Sequence, residues 1–589
     1  MSLAQHVTQS EGFDYAEQAG DGRPSHGDDE RADETTALLS THRPPKRKWR
    51  YMKFGLGYQA EPEHQVAAYE ISVARRCVQV ATGIIACWLC AGIVFGFAAL
   101  KPILVSEGLY ADLCDTRLQT PMHALNMTKY IKRLIVPCDE QDLRLNLFFV
   151  VASVTANVSS LLAGSVLDTL GRRTCWLIAC ILLIAGSLLF TASFAVPEMD
   201  SFLIANALLS MGGTFIFVSS FQLVNAFPMY SGALVAVMTG AFDASSAVFL
   251  IYGMTYEATS GNFSLRYFFL AYTAIPILIV IAEMAYMPPH PYHTMSNLEH
   301  IIGKVEHAQE IAHQSERYVD EAVEPERVQE ARARADLRTA KLGQLEDLAG
   351  NAIDRHDRRK LHEDRQTVSG VWGVLHGASP RRQMLSPWFI LILLLTAIQM
   401  LRMNYFIATI RAQYRYMLDS EHSAAMVNSF FDIALPVAGV ASTPLVGVLL
   451  NNLSVPSIFG IVTMMIAVEG ALNCLPYLWA GCATVIAFVI FRPLYYSAVS
   501  GSGNSDYATK VFGFKSFGRI YGTIVCCSGL INLAQSGLDA VTHEVLGGNP
   551  TPINIAFVVT GTVVGSTLSI FVAIQSRSSK MKRISQPHA

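Results

Sequence analysis

An all-α polytopic membrane protein is the fold class that this sequence predicts, and three observations predict it. Apolar residues make up 51% of the 589 residues and charged residues only 15%, against about 25% charged in soluble domains. Mean hydropathy is +0.33. The apolar residues gather into twelve runs, each near the ~20 residues a helix needs to cross the hydrocarbon core. A disordered chain is excluded for the bulk, because 30 Phe, 22 Tyr and long aliphatic runs would collapse. With 44 basic against 47 acidic residues, net −3, no basic excess is available for nucleic acid.

The elements follow in order. Residues 1–72 are polar, without the apolar run of a secretory signal, and too acidic (Asp28, Asp29, Glu30, Asp33, Glu34) for a mitochondrial presequence. They read as a disordered cytosolic tail. Within it, Glu34-Thr-Thr-Ala-Leu38-Leu39 resembles the acidic dileucine signal read by sorting adaptors, which makes a vacuolar or lysosomal membrane the leading destination and the plasma membrane the alternative. Candidate spans lie near 77–101, 144–167, 174–196, 201–225, 230–256 and 267–288, forming a first six-helix bundle over 73–289. Residues 290–384 are dense in Glu, Asp, Arg, Lys and His and read as a solvated cytosolic connector. A second bundle over 385–577 holds spans near 386–410, 424–450, 456–475, 477–499, 517–541 and 554–576, and a short cytosolic tail occupies 578–589.

Orientation follows from positive charge. Arg43, Lys46, Arg47, Lys48, Arg50, Lys53, Arg75 and Arg76 precede the first span, Arg172 and Arg173 occupy a short loop, and Lys580, Lys582 and Arg583 follow the last span. These segments belong in the cytosol, which places the 105–143 loop on the far side. In an oxidising compartment Cys114 and Cys138, which flank that loop, are candidates for a disulfide. Asn126 and Asn262 head glycosylation sequons on the same side. The nine other cysteines fall in or beside apolar runs and read as small hydrophobes.

Six spans, a connector and six spans is the plan of the major facilitator superfamily. Gly164-Ser-Val-Leu-Asp168-Thr-Leu-Gly171-Arg172-Arg173 resembles that superfamily's loop motif. Gly164 admits a neighbouring helix, Asp168 can cap the next helix, Gly171 permits the turn, and Arg172 or Arg173 can pair with a carboxylate or lipid phosphate. The resemblance implies a latch between the two halves. The equivalent Gly447-Val-Leu-Leu-Asn451 has lost its charges, so the latch is one-sided. Phe95-Gly96 through Cys114, Gln141-Asp142 to Leu147, Gly240 to Ala247, Arg492-Pro493-Leu-Tyr495-Tyr496 and Phe514 to Arg519 resemble more closely the sodium-independent, system-L-type facilitators of large neutral amino acids and their fungal relatives. That branch also contains nucleobase carriers, so the resemblance leaves the substrate open.

Ionisable groups at membrane depth point to function. Asp243, midway along span five beside Ser245 and Ser246, can bind an ammonium group or exchange a proton, or can hold its helix to a neighbour. Arg492, just before Pro493, can line a cavity or serve a gate. Arg402 and Asp432 are expected to pair across spans seven and eight, the alternative being that Arg402 meets a substrate carboxylate. Glu283 and Asp539 are expected to reach the interface, and Glu469 has no obvious partner. Gly92 and Gly96 in span one can pack closely or expose backbone carbonyls. Gln222, Asn225, Gln399, Asn404, Asn532 and Gln535 are neutral polar candidates, and Tyr405 and Tyr495 can bound an apolar side-chain pocket.

The expected function is a secondary carrier working by alternating access, with a neutral, branched or aromatic amino acid as cargo, moved by facilitated diffusion or with a proton. A nucleobase carrier of the same fold and a non-transporting nutrient sensor are the alternatives. No Walker sequence, zinc-ligand cluster or nucleophile elbow occurs, so no cofactor, metal or enzymatic activity is expected. The expected partners are the bilayer and a small solute, with a proton if transport is coupled and a sorting adaptor if the dileucine pattern is read; no nucleic acid is expected.

Overall fold

The computed structural model describes residues 71–114, 137–196, 200–293, 378–500 and 514–584, with Ala68, short stretches between 298 and 375, and 507–512. Twelve helices are long and apolar enough to cross a membrane. We number them span 1 (Val73–Ala91), span 2 (Asp139–Leu167), span 3 (Thr169–Ala195), span 4 (Phe202–Ala226), span 5 (Pro228–Ala258) and span 6 (Leu265–Ala285), then span 7 (Pro387–Leu418), span 8 (Glu421–Ser442), span 9 (Val455–Leu472), span 10 (Leu478–Val499), span 11 (Gly522–Val545) and span 12 (Thr551–Arg577). Among the described residues there is no β-strand. This is an all-α integral membrane protein.

The burial pattern inverts that of a soluble bundle. Spans 4 and 7 are the most enclosed, 72% buried, and spans 6 and 12 the least, 28%. Ile181, Ile204, Leu278, Met464 and Ile570 stand 60–67% exposed, which only a hydrocarbon surround makes favourable. The halves meet along two seams, span 2 against span 11 and span 5 against span 8. In the first seam, Gly522 and Gly529 leave no room for a Cβ, which would stand 2.4 Å from Leu161 Cδ2 and 2.6 Å from Asn157 Cβ.

The helix Asp139–Ala195 that carries spans 2 and 3 is interrupted by one residue of non-helical backbone, Gly171 near the start of span 3, at φ +79°, a region that glycine occupies without a Cβ penalty. Cys114 and Cys138 form a disulfide, and Asn262 is exposed in the turn between spans 5 and 6 at the same end of the bundle. We call this the disulfide end and the opposite one the connector end. Asn126, Glu34, Leu38 and Leu39 lie outside the described residues, as does the side chain of Asp168.

The connector differs from the expected solvated segment. Tyr292, Leu298, Ile302, Leu345, Leu348 and Ala349 form a small core with Ala68, Val80 and Ala226, and the Tyr292 hydroxyl donates to Gln79 Oε1 at 2.5 Å. Its leucines are spaced widely enough among charges that no broad apolar face shows in the sequence, yet three suffice to dock it beneath spans 1 and 4.

Candidate functional site

Three spans lose regular helix near mid-depth. Span 1 passes from α-helix Val73–Ala86 into a π-turn at Cys87–Ala91, a non-helical Gly92 (φ −124°, ψ 19°) and a 3₁₀ turn at Ile93–Gly96, before α-helix resumes at Phe97–Ser106. Span 5 breaks between Ala244 and Ala247, and span 11 between Ile531 and Ala534. Irregular backbone at membrane depth is tolerated only where protein or a polar cavity satisfies it, and π-turns concentrate at functional sites.

The breaks in spans 1 and 5 face one another. The Gly92 N–H donates to Ser245 Oγ at 3.1 Å, and a Cβ on Gly92 or Gly96 would stand 2.5 Å from the Phe242 carbonyl oxygen or 2.4 Å from that of Ser246. Ser246 Oγ donates to the Asp243 carbonyl at 2.9 Å. The two serines and two glycines therefore hold span 1 against span 5, and both serine side chains are buried.

Asp243 faces the other half. Its Oδ1 lies 3.3 Å from Arg492 Nη1, with both side chains about 6–7% exposed. Arg492 belongs to span 10, so the ion pair crosses between the halves. The guanidinium also lies 4.9 Å from the centre of the Phe95 ring, a cation–π contact. Phe95 is 6.2 Å from Phe149 and 5.8 Å from Phe242, which is 4.5 Å from Phe217. Behind Asp243, Gly439 of span 8 approaches so closely that an added Cβ would stand 2.4 Å from Asp243 Cβ. Tyr495 and Tyr496 follow on span 10 with ring centroids 5.9 Å apart, Tyr495 fully buried.

Other candidates fall elsewhere. Gln399 faces spans 9 and 12, with its Nε2 2.5 Å from where a Cβ on Gly561 would stand. Tyr405 bonds the Thr542 hydroxyl at 2.8 Å and packs on Phe557. Both stay within the second half, because helical period turns them away from the seam. Gln222 and Asn225 lie in the 3₁₀ turn at the connector end of span 4, which ends at Ala226, whose carbonyl accepts Arg76 Nη1. Asn404 Nδ2 donates to Ser153 Oγ of span 2 at 2.9 Å and so stitches the halves. Asn532 and Gln535, fully buried at the break in span 11, have amide groups without a hydrogen-bond partner among the described residues.

Four expectations about charges are corrected. Arg402 pairs with Glu469 of span 9 at 2.7 Å rather than with Asp432, whose Oδ2 accepts from Asn428 at 2.9 Å. Glu469 thus has a partner. Glu283 does not reach the interface: it is 3% exposed and takes a two-pronged contact from Arg172, Nη1 to Oε2 at 2.7 Å and Nη2 to Oε1 at 2.9 Å. Asp539, 1% exposed, sits among Asn146, His543 and Asp142. The loop motif accordingly works within one half. The Gly171 turn sends Arg172 back to span 6, where it also meets the Pro288 carbonyl and the Trp176 face, while Arg173 is exposed, 4.0 Å from Glu283. Gly164 is buried.

Sequence reasoning missed the aromatic set around Arg492 and the charged cluster of Lys101, Asp142 and His543. The i, i+4 spacings Asp142/Asn146 and Asp539/His543 were the available signal for the second; nothing in spacing marked the first, since aromatics in spans usually pack.

Similarity to known proteins agrees with this architecture. The sequence profile of the Major Facilitator Superfamily matches residues 127–535. Protein FMP42 of Saccharomyces cerevisiae is 36% identical over 510 residues, 85% of this chain and 95% of that one. Equilibrative nucleobase transporter 1 of Bos taurus is 22% identical over 83% of this chain and 94% of its own length. Large neutral amino acids transporter small subunit 3 of Homo sapiens is 28% identical over 31% of this chain and 32% of its own. The chain belongs to the major facilitator superfamily and is a membrane transporter of that type.

Proposed function

We propose that this transporter carries neutral amino acids with branched or aromatic side chains by alternating access, and that Asp243 and Arg492 take the solute's ammonium and carboxylate. The observation that carries this reading is the cross-half ion pair. Removing one member of a buried pair strands the other at a cost of several kcal/mol. A zwitterion supplies an opposite charge to each member, so the pair can part around it without leaving either charge unmet. Phe95, Phe149, Phe217 and Phe242 offer an apolar wall for the side chain. The partial similarity to a large neutral amino acids transporter supports the same cargo. A vacuolar membrane, with the disulfide end in the lumen, suits the dileucine pattern of the tail.

A nucleobase is the second reading, favoured by the flat faces of Phe95 and Phe242 and by the nearly full-length similarity to a nucleobase transporter. Counterflow of labelled leucine in proteoliposomes separates the two. The amino-acid reading expects saturable exchange, competed by phenylalanine and not by adenine. Asp243→Asn and Arg492→Gln should each weaken it about 10- to 100-fold, the equivalent of one charge-assisted hydrogen bond. Adenine exchange without leucine exchange would give the cargo to nucleobases, and folded protein that moves neither would sink both readings.

A further inference from the structure

Nearer the disulfide end, a second charged cluster joins the halves. The first half contributes Lys101, on the helix Phe97–Ser106 in which span 1 resumes, with Asp142 and Asn146 of span 2; the second half contributes Asp539 and His543 of span 11. Lys101 Nζ lies 2.9 Å from Asp142 Oδ1 and donates to Asn146 Oδ1 at 2.6 Å and to the Ala408 carbonyl of span 7 at 3.3 Å. Asn146 Nδ2 donates to both carboxylates, Asp142 Oδ2 at 3.1 Å and Asp539 Oδ2 at 2.5 Å. Asp539 Oδ1 is buried without a hydrogen-bond partner among the described residues, 3.6 Å from His543 Nδ1.

The imidazole fixes the proton inventory. His543 Nδ1 stands 2.9 Å from the Asp539 carbonyl oxygen, which can only accept, so Nδ1 carries a hydrogen. Its Nε2 then faces Asp142 Oδ2 at 3.6 Å. In a neutral ring both atoms present lone pairs, and a proton on one of them turns repulsion into attraction. Two carboxylates against one ammonium leave the cluster with a net charge of −1; one more proton makes it neutral. Other charged groups lie around this network. Arg411 of span 7 is paired with Glu421 of span 8 at 2.7 Å, and Arg144 of span 2 faces Asp200 at 3.0 Å. Glu544 beside His543 is exposed. Arg415 lines the cleft that opens onto Lys101 and Asp142 from the disulfide end, and it is half-buried there.

We propose that this cluster is a proton-binding site that fastens the two halves at the disulfide end. Protonated between His543 Nε2 and Asp142 Oδ2, it is neutral and bridges spans 1, 2, 7 and 11. Without that proton, Asp142, held by Lys101, and Asp539 share one amide donor across the seam, and the halves part. The proton enters from water in the cleft and returns to it. The fastening stands by itself; its use in coupling solute movement to a proton rests on the carrier reading above.

Hydrogen–deuterium exchange of the full-length protein in lipid nanodiscs tests it without a solute. Corrected for the intrinsic pH dependence of exchange, amides of 98–108 and 404–416 should lose protection as pH rises, by up to about tenfold per pH unit, the slope of one proton. Asp539→Asn makes the cluster neutral without the extra proton, so its protection should be high and flat. His543→Gln removes the ring nitrogen that holds the proposed proton and leaves the charge, so its protection should be low and flat. A flat wild-type profile, or Asp539→Asn keeping the wild-type slope, would overturn the proposal. Counterflow on the same preparations separates the two ideas: pH-dependent protection without any exchange of leucine or adenine leaves the fastening intact and removes the carrier reading.

Discussion

Two buried arginine–carboxylate pairs in this molecule have the same chemistry and different construction. Arg172 and Glu283 lie within the first half, joined by two contacts at 2.7 and 2.9 Å, with a backbone carbonyl and an indole face completing the arginine's surroundings. Arg492 and Asp243 lie across the seam, joined by one contact at 3.3 Å, with a phenyl ring over the guanidinium. A two-pronged pair with its remaining donors met is rigid and strong; a single longer contact is easier to exchange for another partner. The halves move as bodies in alternating access, so pairs inside a half should be built to persist and pairs between halves to part.

The largest effect should come from breaking the persistent pair. Glu283→Ala strands the Arg172 guanidinium inside the first half, and such losses cost about 3–5 kcal/mol. Chemical unfolding in detergent should show a marked loss of stability, with little folded protein left to assay. Asp243→Asn keeps a carbonyl oxygen beside Arg492, so it should lose less stability than Glu283→Ala while solute exchange falls. If the two variants behaved the other way round, the distinction between fastening and exchangeable pairs would be wrong.

A smaller perturbation sharpens the same contrast. Gly439→Ala puts a methyl group 2.4 Å from Asp243 Cβ and 3.5 Å from its Oδ2, so the aspartate must shift relative to Arg492. Overpacking of this kind costs about 1–3 kcal/mol, and exchange should fall more than stability does. Gly460→Ala is the control: on span 9 its methyl meets nothing within 4 Å, and replacing a helical glycine there should stabilise by about 0.5–1 kcal/mol. Equal loss of exchange in both variants, in a counterflow assay, would sever Gly439 from the site.

Much of this was legible in the sequence, and the boundary is physical. Spans are read from hydropathy because lipid demands it residue by residue, and Asp243 and Arg492 stood out because a charge at membrane depth is costly. Their pairing was not legible, since it depends on how two distant helices rotate. The same holds for Arg402, which meets Glu469 67 residues away rather than Asp432. The break in span 1 left only a hint, Gly92 and Gly96, because a π-turn through Cys87–Ala91 uses ordinary residues. Gln399 and Tyr405 looked like lining residues by type, and only the helical phase of span 7 turns them toward spans 9, 11 and 12.

The smallest expected effect concerns a carboxylate whose partner is a backbone group rather than a cation. Glu107, just beyond the span 1 helices, accepts the Leu265 N–H at the start of span 6 at 3.1 Å. Burial pushes its carboxyl above the ordinary value of 4.5, opposed by that N–H. A raised acid favours the protonated form in the folded state. Its contribution to stability is therefore full below about pH 4.5 and is lost as pH rises through the raised value. Glu107→Gln retains an oxygen for the Leu265 N–H and carries no charge at any pH. Melting followed in detergent should match wild type near pH 4 and exceed it by about 1–2 °C near neutrality. A variant that melts below wild type at neutral pH would mean that the ionised carboxylate is what secures the start of span 6. Glu107 would then belong with Glu283 among the fastening groups, and a cation would not be needed to make one.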